Sequence, residues 1–193
     1  TVGTILVLTG LVGTFGTEAL AGFGIGSRVE FLMIPLIFGI GTAMTSIVGA
    51  NIGANNIERA ETVGIYGGSL AGVVSVFIGL TLALFPDLWI QYFTDDPKAS
   101  AVTTMYIQLV GPFYVFQGIG LSLYFASQGA NAMKWPTIAT IARFLIASIG
   151  GSIAIYWLGL GIESIFLSSS IAMMVFGLTI FISIKRGAWR KTF

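Results

Sequence analysis

Long apolar runs without a single charge constrain this chain more than any other feature. Residues 31–50 read FLMIPLIFGIGTAMTSIVGA and contain no charged side chain. A helix rises about 1.5 Å per residue, so a run of about 20 residues crosses a hydrocarbon layer of about 30 Å. Such runs recur, and only 9% of the chain is charged, against about 25% in a soluble domain. The chain is therefore predicted to be a polytopic membrane protein.

Six membrane-spanning segments are predicted, and all are expected to be helices. A segment surrounded by lipid must satisfy its own backbone hydrogen bonds, which a helix does. A transmembrane barrel, the alternative, needs short strands of alternating polarity, whereas these runs are continuous. The fold class is therefore all-α, a bundle of six transmembrane helices. The predicted spans are residues 1–15, 19–49, 63–85, 102–126, 136–158 and 162–184.

The basic residues predict which side of each span is cytoplasmic. Lysine and arginine in short loops concentrate on the cytoplasmic side of a membrane protein. On one predicted side the only basic residue is Lys98. The opposite side carries Arg59, Lys134, Lys185, Arg186, Arg190 and Lys191. We therefore expect a multi-pass protein of the inner (plasma) membrane whose C-terminus is cytoplasmic.

Composition also limits the classes of function. The chain has no histidine and no cysteine, which removes the common zinc and haem sites and the usual general base. An intramembrane enzyme would need a nucleophile and base made from serine, lysine or carboxylates, and no predicted helix pairs them at depth. The net charge of +1 gives no reason to expect nucleic acid. We expect no enzyme and no cofactor; a membrane scaffold that transports nothing is an alternative.

Two charged residues, Arg28 and Glu30, lie inside the second span, in the stretch GSRVEF. Counted from Ala19, they lie about 14 to 17 Å deep, near the middle of the hydrocarbon layer. A charge there costs at least about 2.5 kcal/mol, so we expect Glu30 to have a function. The alternative, favoured for Arg28, is a structural ion pair between the two, although residues two apart point to different sides of a helix. Glu30 could exchange protons, bind sodium or attract a cationic substrate.

Polar residues in two later spans are further candidates. Tyr114 and Gln117 are three residues apart on one helix face, and could offer a ring and an amide to a ligand or form interhelical hydrogen bonds instead. Pro112 removes a backbone hydrogen bond and can kink the fourth span, either as a hinge or as simple bending. Arg143 in the fifth span is expected to extend towards the cytoplasmic headgroups. The predicted site for substrate or coupling ion is thus Glu30, Arg28, Tyr114 and Gln117.

Two patterns concern packing rather than chemistry. Gly64, Gly68 and Gly72 recur every four residues, which predicts a smooth stripe where another helix approaches closely. The tripeptide GAN occurs at residues 49–51 and again at 129–131, near the predicted cytoplasmic ends of two spans. The repeated tripeptide hints at duplicated helix pairs.

Two long stretches resemble the multidrug and toxic compound extrusion (MATE) family. LAGFGIGSRVEFLMIPLIFGIGTAMTSIVGANIGANNIERA is similar to the second helix of that family's C-terminal half. LWIQYFTDDPKASAVTTMYIQLVGPFYVFQGIGLSLYFASQGANAMKWP is similar to its outer loop after helix nine, followed by helix ten. Both occur in the family's order. Since the chain opens on the apolar TVGTILVLTG without an initiator methionine, we expect a piece of a longer protein.

The resemblance implies a transporter of twelve helices in two lobes around a central cavity. Residues 1–193 would be the C-terminal lobe, helices seven to twelve, and the N-terminal lobe would be its missing partner. Members exchange organic cations and other drugs for protons or sodium, and Glu30 matches an acidic position in helix eight of some members. Several members also carry acidic residues in helices seven and ten, which this chain lacks. A lipid-linked oligosaccharide flippase of the same superfamily is the closest alternative.

Overall fold

The computed structural model describes residues 2–190, and every regular element in that range is helical. Thr1, where the first span was predicted to begin, and Lys191, counted among the cytoplasmic charges, lie outside the described residues. The α-helices are α1 (Val2–Gly13), α2 (Thr17–Gly53), α3 (Ile57–Leu84), α4 (Asp87–Ile90), α5 (Pro97–Val110), α6 (Tyr114–Gly129), α7 (Lys134–Leu145), α8 (Gly151–Tyr156) and α9 (Glu163–Lys185).

The predicted all-α membrane fold is confirmed. Five helical stretches are long and apolar enough to cross a membrane: α2, α3, α5 joined to α6, α7 joined to α8, and α9. The remaining predicted span corresponds to α1, which is apolar but has only 12 residues. Helix α2 has 37 residues and continues through Pro35. Each predicted span therefore coincides with a helix or a joined pair of helices, although α2, α3 and α5 begin before the predicted limits.

Two of the long spans change helical type along their length. Between α5 and α6 lies a 3₁₀ segment, Gly111–Phe113, with Pro112 at its centre. Proline has no backbone N–H to donate, so the α-helical pattern is interrupted where the sequence predicted a kink. Between α7 and α8 lies a π-helical segment, Ile146–Gly150, which the sequence did not predict. Both interruptions lie next to residues of the buried polar cluster described below.

Helix α3 packs closely on α6 along its glycines, as predicted. A Cβ added at Gly68 would lie 2.9 Å from the Leu123 side chain, and one at Gly72 would lie 2.7 Å from Ile119. At Gly64 the nearest group is the ring of Trp189, at 2.7 Å. The glycine stripe therefore contacts side chains of α6 and, at Gly64, one side chain of the segment that follows α9.

Three helices end in the same way on one side of the bundle. Asn55, Asn131 and Gly187 follow α2, α6 and α9 with positive φ angles of 59°, 51° and 75°. In each case the backbone N–H of the following residue donates to the carbonyl oxygen five residues before it. This hydrogen bond defines the Schellman motif. The sequence VGANIGANN contains GAN twice, at residues 49–51 and 53–55. Only the second, 53–55, has the same backbone conformation as GAN at 129–131.

The segment after α9 folds back against α3 and closes this side of the bundle. Trp189 is 1% exposed and donates its indole N–H to the Ser127 hydroxyl over 3.3 Å. Arg190 forms a bidentate ion pair with Glu61, with nitrogen–oxygen distances of 2.6 to 3.1 Å. The hydrogen bonds and charge of Glu61 raise the pKa of Arg190. Glu61 is therefore buried in an ion pair rather than part of a fully solvated loop.

The two sides of the bundle differ in charge as the sequence predicted. The side with the Schellman motifs also holds Arg59, Lys134, Arg186 and Arg190 and is called the basic end below. On the opposite side, Lys98 pairs with Glu18 at 3.6 Å, and both are exposed. Asp96 caps α5 there by accepting a hydrogen bond from the Lys98 backbone N–H at 3.1 Å.

Candidate functional site

A cluster of polar side chains lies buried among four of the long helices. It combines Glu30 from α2, Tyr106 from α5, Tyr114 and Gln117 from α6, and Arg143 from α7. Their exposed fractions are 8%, 2%, 0%, 3% and 7%. Charged side chains are almost never buried to this degree unless they are paired. We call these five residues the Glu30 cluster.

Glu30 is held by a hydrogen bond from a tyrosine. The Tyr106 hydroxyl donates to Glu30 Oε1, joining α2 to α5. The Tyr106 ring is fixed in turn by edge-on contacts with Phe23 and Phe166, with ring centroids 5.4 and 5.1 Å away. Glu30 itself is only 8% exposed. The carboxyl group is therefore oriented by the protein and shielded from bulk solvent.

Arg143 brings a positive charge to the same cluster. Its guanidinium donates to Gln117 Oε1 over 2.6 Å and lies 5.4 Å from the centre of the Phe176 ring. It interacts electrostatically with Glu30 but lies beyond the 4.0 Å of a direct ion pair. Opposite charges at this spacing attract strongly where water is scarce. The hydrogen bond to Gln117 thus holds the Arg143 side chain inside the bundle.

Tyr114 has an unusual environment within the cluster. Its hydroxyl is fully buried and has no well-formed hydrogen bond among residues 2–190, although it lies close enough to the Tyr106 hydroxyl for a weak polar interaction between the two phenols. A buried hydroxyl without a partner is destabilising by about 1–3 kcal/mol. Such groups are rare in native proteins and often mark functional positions. Tyr114 is therefore available to hydrogen-bond with a proton carrier or ligand that approaches Glu30.

A cavity of about 260 Å³ adjoins the cluster through Arg143. Its walls also include Thr4 from α1, Tyr124 from α6, Thr140 from α7 and Phe176 from α9. Glu30 itself does not line this cavity. Arg143 is therefore the member of the cluster that a small molecule inside the cavity could contact.

The structure brings together three of the four residues predicted for the site and leaves one apart. Glu30, Tyr114 and Gln117 belong to the cluster. Arg28 is exposed on another face of α2, where its guanidinium lies 5.4 Å from the Phe93 ring centre. The alternative of a structural ion pair between Arg28 and Glu30 is wrong, because Glu30 hydrogen-bonds to Tyr106 and interacts with Arg143 instead.

Two features of the cluster differ from the sequence-based expectations. Arg143 was expected to extend to the headgroups, but its side chain turns inward to Gln117 and is 7% exposed. The expectation was wrong because distance from the helix end does not tell which face of α7 an arginine occupies. Tyr106 was not identified at all. Tyr106 lies eleven residues before Gln117, a spacing that places the two side chains near one face of a continuous helix. That spacing is the signal in the sequence from which Tyr106 could have been identified.

Comparison with known proteins assigns the chain to a family. The family model MatE matches residues 2–153. A probable multidrug resistance protein NorM from Thermotoga maritima is 30% identical over 145 residues, covering 75% of this chain and 31% of the relative. A protein of the same name from Geobacillus kaustophilus is 27% identical over 95% of this chain and 40% of its own length. The chain thus spans less than half the length of these relatives.

Solved structures agree with the fold. The Vibrio cholerae MATE transporter VcmN in its bent form superposes with a TM-score of 0.85 at 20% identity, covering 97% of this chain and 43% of that one. A MATE protein in complex with MaL6 gives a TM-score of 0.86 at 24% identity, with the same coverage of both chains. The helical arrangement and the sequence matches agree, and they concern transporters rather than enzymes: the chain belongs to the MatE family of membrane transporters.

Proposed function

We propose that this chain is the C-terminal lobe, helices seven to twelve, of a drug-exporting antiporter that works by alternating access. The multidrug-resistance names of the relatives support drug efflux. This chain covers about two fifths of the length of the solved transporter chains, which supports a single lobe. An N-terminal lobe would then complete the central cavity, and the substrates would be organic cations and related drugs.

Coupling through Glu30 is the central part of the proposal. The observation that carries it is a buried carboxyl group with a tyrosine donor on one side and an arginine charge nearby, at the junction of four helices. A carboxyl group in such a place changes its interactions with the surrounding helices when it gains or loses a proton. Ionisable residues inside membranes commonly form proton relays for this reason.

The same geometry favours protons over sodium as the coupling ion. A sodium ion bound at Glu30 would lie close to the Arg143 guanidinium, and two positive charges in a weakly polar site repel each other strongly. A proton also adds one positive charge, which Arg143 opposes as well, but it forms a covalent bond with the carboxyl oxygen and needs no shell of further oxygen ligands. Arg143 therefore acts as a resident cation that occupies the electrostatic role of a bound metal ion.

A second candidate function has one observation in its favour. The cavity of about 260 Å³ is lined by Arg143, not by Glu30, and a cationic wall suits an anionic ligand. Flipping of a lipid-linked oligosaccharide, whose phosphate groups are negative, would use such a wall. Drug export remains the main proposal, since the named relatives are multidrug resistance proteins.

Transport by the whole protein in liposomes tests the proposal. We expect a dye such as ethidium to move against its gradient when a proton gradient is imposed, and not when a sodium gradient of equal size replaces it. Dye transport driven by sodium alone would contradict proton coupling. Movement of a lipid-linked oligosaccharide with no movement of dye would replace export by the flippase function.

A further inference from the structure

A groove on the outer surface of the bundle is separate from the Glu30 cluster. It lies between α9, the first turn of α7 and the segment after α9, and it has a volume of about 570 Å³. Ligand sites commonly measure about 300–1,000 Å³. Its walls combine apolar side chains with one arginine, Arg186, at the basic end. The residues proposed for transport do not line it.

The apolar wall of the groove is one face of α9. Val175, Leu178, Thr179 and Ile182 line it, at the spacing of three and four residues that places side chains above each other on a helix. From Val175 to Arg186 the rise is about 16 Å. This is about half of a hydrocarbon core about 30 Å thick. The groove therefore has the length of one leaflet.

The polar end of the groove presents an arginine without a partner. Arg186 is exposed, and its guanidinium makes no ion pair or hydrogen bond with the residues from 2 to 190. It directly follows the last residue of α9, as the C-cap, and Gly187, with φ of 75°, turns the chain back beside it. The left-handed conformation at this position is costly for side-chain-bearing residues but not for glycine. The turn keeps Arg186 at the mouth of the groove.

Trp135 completes the mouth on the side of α7. It is 42% exposed and lines the groove, and tryptophan is enriched at the level of the lipid headgroups. The groove has features that match the parts of a phospholipid in order. Its apolar wall has the length of one leaflet, Trp135 lies at the level of the headgroups, and Arg186, at one end, is unpaired among the described residues. The acyl chain lies along α9, and the phosphate reaches the guanidinium.

We propose that this groove binds an anionic phospholipid of the cytoplasmic leaflet. The basic end is the side that the positive-inside rule predicts to be cytoplasmic, and anionic lipids give that leaflet its negative surface. Arg186 forms charge-assisted hydrogen bonds to the phosphate, while Leu178 and Ile182 contact the acyl chain. This site does not depend on the identity of the transported substrate or of the coupling ion.

Native mass spectrometry of the purified full-length transporter tests the site, with phosphatidylglycerol and phosphatidylcholine of equal chain length as probes. Arg186→Gln should weaken phosphatidylglycerol binding about fivefold, the effect of one basic residue at a membrane surface. Lys185→Gln is the matched control, because it removes the same charge one residue earlier, from a side chain that stacks on Phe181 at 4.9 Å and does not line the groove.

A second variant tests the apolar part of the groove. Thr179→Trp fills it while keeping Arg186, and it should reduce binding of long-chain phosphatidylglycerol more than binding of a short-chain analogue. Equal affinity for the two headgroups, or equal losses in Arg186→Gln and Lys185→Gln, would overturn the proposal. So would unaltered lipid binding in both Arg186→Gln and Thr179→Trp, an outcome expected if another part of the transporter covers the groove.

Discussion

At the scale of single residues, the cluster contrasts two tyrosines that differ in their hydrogen bonding. Tyr106 donates to Glu30, whereas the Tyr114 hydroxyl makes no well-formed hydrogen bond within the described chain. Both rings are buried to at least 98%, so phenylalanine replaces either with little change in packing. Comparing the two phenylalanine variants therefore separates the contribution of one hydrogen bond to stability from that of a buried aromatic ring.

Tyr106→Phe should destabilise the purified protein by about 1 to 2 kcal/mol, because it leaves the buried Glu30 carboxyl group without its donor. Tyr114→Phe should be neutral or slightly stabilising, since it removes a hydroxyl that is not satisfied. Unfolding in detergent, followed by circular dichroism, measures both. Equal destabilisation by the two variants would show that the hydrogen bond to Glu30 is not the source of the difference.

The sequence identified single residues better than it identified their partners. Glu30 stands out because a carboxyl group at mid-depth is costly in lipid, and Tyr114 and Gln117 stand out because they interrupt an apolar span. Which residues face them depends on the rotation of each helix about its own axis. That rotation is set by packing between helices, so Tyr106 went unnoticed and Arg143 was assigned to the wrong environment.

At the scale of helices, close packing of α3 on the break between α5 and α6 positions the cluster. Gly79 on α3 faces the backbone of Gly111, at the start of the 3₁₀ segment that leads into Tyr114. A Cβ at Gly79 would collide with the Gly111 carbonyl oxygen. Two glycines thus allow two backbones to touch at the point where the fourth span changes its helical type.

Gly79→Ala should therefore destabilise the protein by about 1–3 kcal/mol, the usual effect of overpacking a close contact. Gly39→Ala is the control, because a Cβ there meets nothing within 4 Å and alanine favours a helix by about 0.5–1 kcal/mol. Thermal unfolding of the two variants in the same detergent gives the comparison. A stable Gly79→Ala protein would contradict the close approach of α3 to Gly111.

Helix positions were predicted well from the sequence, while their interruptions were predicted in part. Apolar length locates a transmembrane helix because each residue adds a fixed rise, and Pro112 marks a break because it has no N–H. The π-helical segment Ile146–Gly150 has no such marker residue. Its extra residue per turn is accommodated by packing against neighbouring helices, which a single span does not reveal.

At the scale of the whole molecule, the account requires a fixed orientation in the membrane. The basic end carries Arg59, whereas the opposite side carries Lys98 paired with Glu18. Because the chain contains no cysteine, single cysteines can be introduced at these exposed positions without background from this part of the protein. In the orientation that the basic residues predict, the proposed phospholipid groove would lie in the inner leaflet.

In intact cells, a maleimide that cannot cross membranes should label Lys98→Cys and leave Arg59→Cys unlabelled until the cells are permeabilised. The expected labelling follows from the excess of basic residues at the basic end. Mass spectrometry or a gel shift quantifies the labelled fraction. Labelling of Arg59→Cys from outside would invert the orientation and remove the inner-leaflet site.

The most direct test of the central claim is proton-driven dye transport by Glu30→Gln in liposomes. Glutamine keeps the size of the side chain but cannot exchange a proton, so transport should fall at least about tenfold, equivalent to about 1.4 kcal/mol, while dye binding and folding are retained. Glu18→Gln, which changes an exposed carboxylate at the opposite side, should transport normally. Undiminished proton-driven transport by Glu30→Gln would show that this carboxyl group does not couple the exchange.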